Sequence, residues 1–178
     1  VLWENSVFSM LQEHVKNVKR AITITTRAPR RGEEDGVDYY FITESEFSYR
    51  SVMHEFVEQN FYDDTFYATP RSEIEKVSKN EPIFLIIDTN GREKLVRQYP
   101  LATSIFIMPP SMEELENRMR QRGANSSDEM ESRLKIAQQE IQKAKSYDHV
   151  IVNDDLNRCV DELVGIVQNK GFLCSSLH

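Results

Sequence analysis

Residues 25–39 read TTRAPRRGEEDGVDY. Three arginines, an acidic cluster, two glycines and a tyrosine follow the β-branched run Ile22-Thr23-Ile24-Thr25. A guanidinium fork meets two phosphate oxygens at once, and a tyrosine hydroxyl adds a further hydrogen bond without adding charge. Arginines where a strand opens into a glycine-bearing loop therefore suit a phosphate monoester. A solvated charged loop is the plainer alternative, and the order of the residues weighs against it.

On either side of this stretch, strands and helices alternate. Val7, Leu11 and Val15 recur at helical spacing and predict an amphipathic helix over about Glu4–Asn17. Ala21–Thr26 reads as a strand entering the arginine loop, and Tyr39–Ile42 as a strand leaving it. Thr43 with Glu46 forms a capping box that opens a helix over Phe47 to about Glu55. Phe56–Tyr67 is aromatic-rich and ambiguous, with Asp63-Asp64 as a hairpin turn. A short helix over Ser72–Lys79 is closed by Asn80 and Pro82. Ile83–Ile87 is a continuous apolar run, the pattern of a strand buried on both faces. A helix over about Arg92–Gln98 follows, then a second buried strand over Thr103–Met108, stopped by Pro109-Pro110. Ser111 with Glu114 opens a helix that ends at Gly123. Met130, Leu134, Ala137, Ile141 and Ala144 lay an apolar stripe along a long helix. His149–Val152 is a last buried strand, and Asp154 to about Gln168 a last helix. This order predicts an α/β fold with a parallel sheet and helices on both faces. The stretch from about Thr26 to Thr69 interrupts the alternation as an inserted lobe would.

A chain of 178 residues, 39% hydrophobic and 29% charged, is expected to form one domain with a proper core. Its net charge of −7 argues against broad binding to nucleic acid or membrane surfaces. Cys159 and Cys174 make no disulfide framework, fit a reducing compartment and read as packing residues. No apolar run is long enough to span a membrane and no signal-peptide layout is present, so a cytoplasmic location is expected.

The pattern TTR-x-PR-x-GE-x-x-G-x-DY resembles the signature of the guanylate kinase family, and the resemblance extends from about Thr23 to Ile166. It implies a P-loop NTPase-type α/β fold with an inserted mixed α/β GMP-binding lobe (about 23–69), a helical lid (about 111–135) and a core made of about 1–22, 70–110 and 136–178. It implies that Arg27, Arg30 and Tyr39 hold the GMP phosphate, with Glu33 supporting the arginines and Thr23 nearby. The family's glutamate and Tyr-Gly-(Thr/Ser) segment fall on Glu58 and Tyr67-Ala68-Thr69, with alanine in place of the usual glycine. Guanine offers N1–H and an exocyclic amine as adjacent donors, which one carboxylate can accept, and O6, to which a threonine hydroxyl can donate; leaving such groups unpaired is what gives selectivity. A solvated carboxylate is the alternative for Glu58. Asp88 matches the second of two acids in a family segment near magnesium or GMP, Ile86 stands where the first acid would be, and a helix-capping role is the alternative for Asp88.

Arg118 and Arg122 lie four apart on one helix face, where like charges repel unless an anion binds; interaction with the negative helix C-terminus is the alternative. With Arg133 on the next helix they match the family arginines that close over the ATP phosphates, so the resemblance implies a catalytic role for all three. Asn153-Asp154-Asp155 resembles a segment on the adenine side and also reads as a helix N-cap. The implied reaction is phosphoryl transfer from Mg-ATP to GMP, giving ADP and GDP, with GMP and ATP as partners, magnesium arriving with ATP, and no side chain assigned as a metal ligand. A kinase of this family should also carry G-x-x-x-x-G-K-(S/T) between a strand and a helix. No glycine precedes Gly32 and no lysine precedes Lys16. Val1-Leu2-Trp3 reads as a strand end that meets a polar helix start without turn residues, so a phosphate loop is expected to be missing between Trp3 and about Asn5. A shortened chain, or a non-catalytic module binding a phosphorylated peptide, are the other readings.

Overall fold

The computed structural model describes residues 4–15, 18–62, 64–76, 82–121 and 127–171. Along the chain run α1 (Glu4–His14), β1 (Lys19–Arg20), β2 (Thr23–Thr25), β3 (Tyr39–Phe41), α2 (Glu44–Val52), β4 (Phe56–Tyr62), β5 (Thr65–Pro70) and α3 (Arg71–Glu75). There follow β6 (Ile83–Phe84), α4 (Thr89–Gln98), β7 (Ile105–Met108), α5 (Met112–Gln121), α6 (Ser127–Lys143), a 3-10 turn (Ala144–Ser146), β8 (His149–Val152) and α7 (Leu156–Asn169). The chain divides into two compact units, one Asn17–Ala102, the other Val1–Lys16 with Thr103–His178.

Within Asn17–Ala102, a four-stranded sheet has the order β3-β2-β5-β4. β2 runs parallel to β3 and antiparallel to β5, which pairs antiparallel with β4. Partners directly opposite one another point to the same side, and successive residues of a strand point to opposite sides. The register pairs Thr23 with Tyr39, Thr25 with Phe41 and Tyr67, Asn60 with Tyr67, and Glu58 with Thr69. One face thus gathers these eight side chains. The other carries Ile24, Tyr40, Phe66 and Ala68, which pack with Phe47 of α2 and Phe56 in one apolar cluster. The register shifts between Phe56 and Glu58. This bulge turns Phe56 into the cluster while Glu58 stays on the opposite, polar face.

The ambiguous stretch 56–67 is therefore a hairpin. At its turn Asp64 adopts φ 53°, a left-handed conformation that aspartate tolerates better than most residues; Asp63 lies outside the described residues. α2 begins at Glu44, ahead of the expected Phe47, because Thr43 accepts the Glu46 N–H at 3.2 Å and starts the first turn at once. α4 begins at Thr89 rather than Arg92, because Asp88 is its N-cap.

β1 lies outside the expected strand Ala21–Thr26 and pairs in parallel with β6. The expected strand Ile83–Ile87 narrows to Ile83–Phe84, and Leu85–Ile87 belong to no strand. All five are half-buried, contrary to the reading of a strand covered on both faces. A two-residue ladder leaves the rest of the run without paired neighbours to cover it. β7 is likewise half-buried, and Val150 of β8 is exposed. The expected short helix holds over Arg71–Glu75 only, and Val77–Lys79 and Asn80 lie outside the described residues.

In the other unit, β7 and β8 pair in parallel over four residues. Ser104 and Asp148 clasp the start of this ladder: the Ser104 hydroxyl and N–H donate to Asp148 Oδ2 at 2.6 and 2.7 Å. α5 and α6 share an apolar core of Leu115, Met119, Met130 and Ala137. Gly123 and the Val1-Leu2-Trp3 strand reading fall outside the described residues, as does Cys174. α1 packs on α7, with Val7, Leu11 and Val15 buried as their spacing predicts. Cys159 is fully buried on α7, and burial pushes its thiol up to about 11, so it acts as a small core hydrophobe.

Candidate functional site

The arginine loop opens at the end of β2, where the Arg27 N–H donates to the Thr25 hydroxyl at 3.2 Å. Both terminal nitrogens of Arg27 reach the two carboxylate oxygens of Glu33 at 2.9 Å. Glu33 also accepts the Arg30 N–H at 2.7 Å, and its own N–H donates to the Arg30 carbonyl at 3.0 Å, closing a tight turn. The hydrogen-bonded Arg27 fork pulls the Glu33 carboxyl below its ordinary value, and Glu33 raises Arg27 in return. The Arg27 guanidinium lies 5.5 Å from the Tyr39 ring and 5.8 Å from the Phe41 ring, so it is packed as well as paired. Tyr39 meets Tyr67 edge-on at 6.3 Å, and burial raises its phenol. Arg30 is exposed, whereas Thr23 is half-buried opposite Tyr39 at the start of β2.

Across the same sheet face, Glu58 is only 8% exposed and Thr69 is fully buried. The Thr69 hydroxyl donates to Glu58 Oε1 at 2.6 Å, a short bond to a charged acceptor. Burial raises the Glu58 carboxyl, and the nearby Asp88 charge adds to the rise, against opposing contributions from Thr69 and Lys94. Asp88 accepts the Gly91 N–H at 2.7 Å through one oxygen and the Asn60 amide through the other. The capping alternative for Asp88 is thus realised. Ile86, where the resemblance implies an acid, is half-buried.

Arg118 and Arg133 belong to the other unit, as does Asn153. Arg118 donates to Glu114 at 2.6 Å and to the Asn153 carbonyl at 3.1 Å. A carboxylate one turn back therefore offsets the charge that repulsion along the helix had suggested an anion must meet. Arg122 lies outside the described residues, and Arg133 is half-buried on α6. Asn153 is buried, its N–H donating to the Met108 carbonyl at 2.8 Å, while Asp155 is the N-cap of α7.

Several residues escape sequence reasoning. Glu73, 3% exposed, accepts the Ile22 N–H at 3.1 Å, the Tyr40 hydroxyl at 3.0 Å and the Lys76 ammonium, tying α3 to the entrances of β2 and β3. Nothing in its local pattern marks a buried acid. Thr25, Phe41 and Asn60 share the polar face and could have been found by following period-2 alternation from Thr23, Tyr39 and Glu58. Gly91, buried in the first turn of α4, lies against Glu58.

A family profile described as guanylate kinase matches residues 5–170. A guanylate kinase of Symbiobacterium thermophilum is 39% identical over 92% of this chain and 78% of its own length. One from Synechocystis is 36% identical over 92% of this chain and 86% of its own length. A crystal structure of guanylate kinase from Anaplasma phagocytophilum superposes with a TM-score of 0.76 at 34% identity, covering 93% of this chain and 81% of that one. The fold is α/β, of the P-loop NTPase type, and the molecule is a phosphotransferase rather than a peptide-binding module. The chain belongs to the guanylate kinase family.

Proposed function

We propose that this chain transfers the γ-phosphoryl group of Mg-ATP to GMP, giving ADP and GDP by direct in-line displacement. The observation that carries this reading is the polar face of the β3-β2-β5-β4 sheet, which holds an arginine–tyrosine cluster toward one end and the buried Glu58–Thr69 pair toward the other. A phosphate and a guanine ring make matching demands. The exposed Arg30 guanidinium binds the phosphate directly, while Arg27, Tyr39 and Glu33 form the wall beside it, with Thr23 and Tyr67 completing the clamp. The Glu58 carboxylate, held in place by the Thr69 hydroxyl, accepts the N1–H and the amine.

Arg118, Arg122 and Arg133 stabilise charge on the transferring oxygens, and Asn153 sits on the adenine side. The segment 23–69 acts as the GMP lobe and 111–135 as the lid, closing so that water is excluded and ATP hydrolysis suppressed. Among the described residues no three metal-ligating side chains converge. Magnesium enters with the Mg-ATP substrate, held by phosphates as this ion commonly is. No described helix is long and apolar enough to cross a membrane; the cytoplasm, where both nucleotides occur, is the proposed compartment. A coupled ADP-release assay on the full-length protein with GMP, AMP, CMP and no acceptor tests the reading. Turnover is expected with GMP, and turnover that is absent or independent of GMP would sink it.

A further inference from the structure

We propose that Gly91 is a specificity-determining positioning residue, whose bare α-carbon seats the Glu58 carboxylate and so sets how strictly the site reads the 2-amino group of guanine. The proposal rests on the reading of Glu58 as the guanine acceptor. Glycine is less favourable than alanine inside a helix, and its usual justification is a left-handed backbone. That justification applies to Gly32, Gly36 and Gly171, with φ of 90°, 74° and 87°. It does not apply to Gly91, which is buried in the first turn of α4 with ordinary helical geometry.

What the glycine permits is a close approach. A Cβ on Gly91 would lie 3.0 Å from Glu58 Oε2 and 3.3 Å from Glu58 Cδ, with the Ile87 Cβ at 3.4 Å. By contrast, a Cβ on Gly165 of α7 would meet nothing within 4 Å.

The carboxylate cannot simply swing away, because Thr69 holds Oε1 at 2.6 Å and the site around it is buried. The helix cannot simply withdraw either. Asp88 accepts the Gly91 N–H, and its second oxygen is tied to Asn60, two residues along β4 from Glu58. Strand, cap and glycine therefore lock the two acids in one arrangement. Guanine presents two parallel donors, N1–H and the 2-amine, to the two carboxylate oxygens. A carboxylate pushed off its seat still meets one donor and serves the second poorly. Inosine monophosphate keeps N1–H and O6 but lacks the amine, so it reports on that second contact alone.

The experiment measures steady-state kinetics with GMP and with inosine monophosphate, together with thermal unfolding, for the full-length protein and for Gly91→Ala, Gly165→Ala and Glu58→Gln. Gly91→Ala is expected to raise the KM for GMP about tenfold with a smaller change in kcat, and to lower the GMP preference about tenfold, the scale of one lost recognition contact. Its melting temperature should fall modestly, because crowding against the held carboxylate outweighs the better helix propensity of alanine. Gly165→Ala should leave the preference unchanged. A parental GMP preference in Gly91→Ala overturns the proposal. If Glu58→Gln also keeps the preference, the guanine reading falls; if Glu58→Gln collapses it while Gly91→Ala does not, only the role of Gly91 falls. Should Gly91→Ala fail to fold, Glu58→Asp in the same background withdraws the carboxylate by one methylene and must restore folding; no restoration overturns the proposal.

Discussion

Glu58 is unusual for a carboxylate, being nearly enclosed with the neutral Thr69 as its hydrogen-bond partner. Burial favours its neutral form, so its pKa stands above the ordinary 4.5. A guanine acceptor must be ionised. As pH falls through that raised value, the parent protein should lose kcat/KM for GMP on a limb lying above the ordinary carboxylate range. Glu58→Gln should lower kcat/KM by about a hundredfold at neutral pH, the loss of a charge-assisted pair, and should lack the limb. The titration of the GMP phosphate is common to both proteins, so pH profiles measured side by side isolate Glu58. A limb that persists in the variant would assign it elsewhere. The two arginines of the loop differ as sharply. Arg27 is paired and packed, whereas Arg30 is exposed with only its backbone held by Glu33. Arg30→Ala should therefore raise the KM for GMP by about one to two orders of magnitude, as loss of a charged phosphate contact would, with little loss of stability. Kinetics and thermal melting of that variant check both statements.

Among the elements, α3 is short but holds its neighbours through Glu73. Removing that carboxylate in Glu73→Ala strands the Ile22 N–H and the Tyr40 hydroxyl, an expected cost of about 2–4 kcal/mol in urea unfolding. Burial by itself would raise the Glu73 carboxyl, but its hydrogen bonds from Lys76, Ile22 and Tyr40 outweigh burial and hold it below 4.5. A depressed carboxylate stabilises above its unfolded-state value and loses that stabilisation as pH falls through the folded one. The gap between parent and variant should accordingly narrow below about pH 4.5 and not above it. Such a hub is invisible in sequence because its partners are a distant backbone amide and a tyrosine on another strand. The arginine–tyrosine loop, by contrast, is readable, since its residues are near neighbours and their order constrains the chemistry. Thr43, Asp88 and Asp155 are legible caps for the same reason. The hairpin over 56–70 hides in its own composition: the Phe56/Glu58 bulge breaks the period-2 pattern that would have marked a strand. The apolar runs at 83–87 and 103–108 mislead in the opposite sense, because strong local pattern says nothing of how many partners a strand finds.

For the molecule as a whole, every described residue of the proposed acceptor site lies in Asn17–Ala102, and Arg118, Arg133 and Asn153 lie in the other unit. GMP at a hundredfold excess over its Kd should stabilise by about 2.7 kcal/mol. Amide hydrogen exchange should concentrate the added protection in Asn17–Ala102; protection spread evenly over the chain would contradict that assignment. Arg133→Ala should instead lower kcat by about a thousandfold, the scale of a transition-state arginine, while the Kd for GMP measured without ATP stays near the parental value. The division into units has a further bearing on how the chain is made. Asn17–Ala102 is continuous, while the unit around it is assembled from both sides of that segment. α1 is synthesised before that segment, yet it packs, with Val7 and Leu11 buried, on α7, which begins at Leu156. At roughly 5–20 residues per second, its apolar face stays uncovered for about 7–29 seconds of synthesis while the inserted unit can already fold. A helix made before the inserted unit is then buried only after it, and nascent chains of this protein should depend on protection of that one apolar face until α7 emerges.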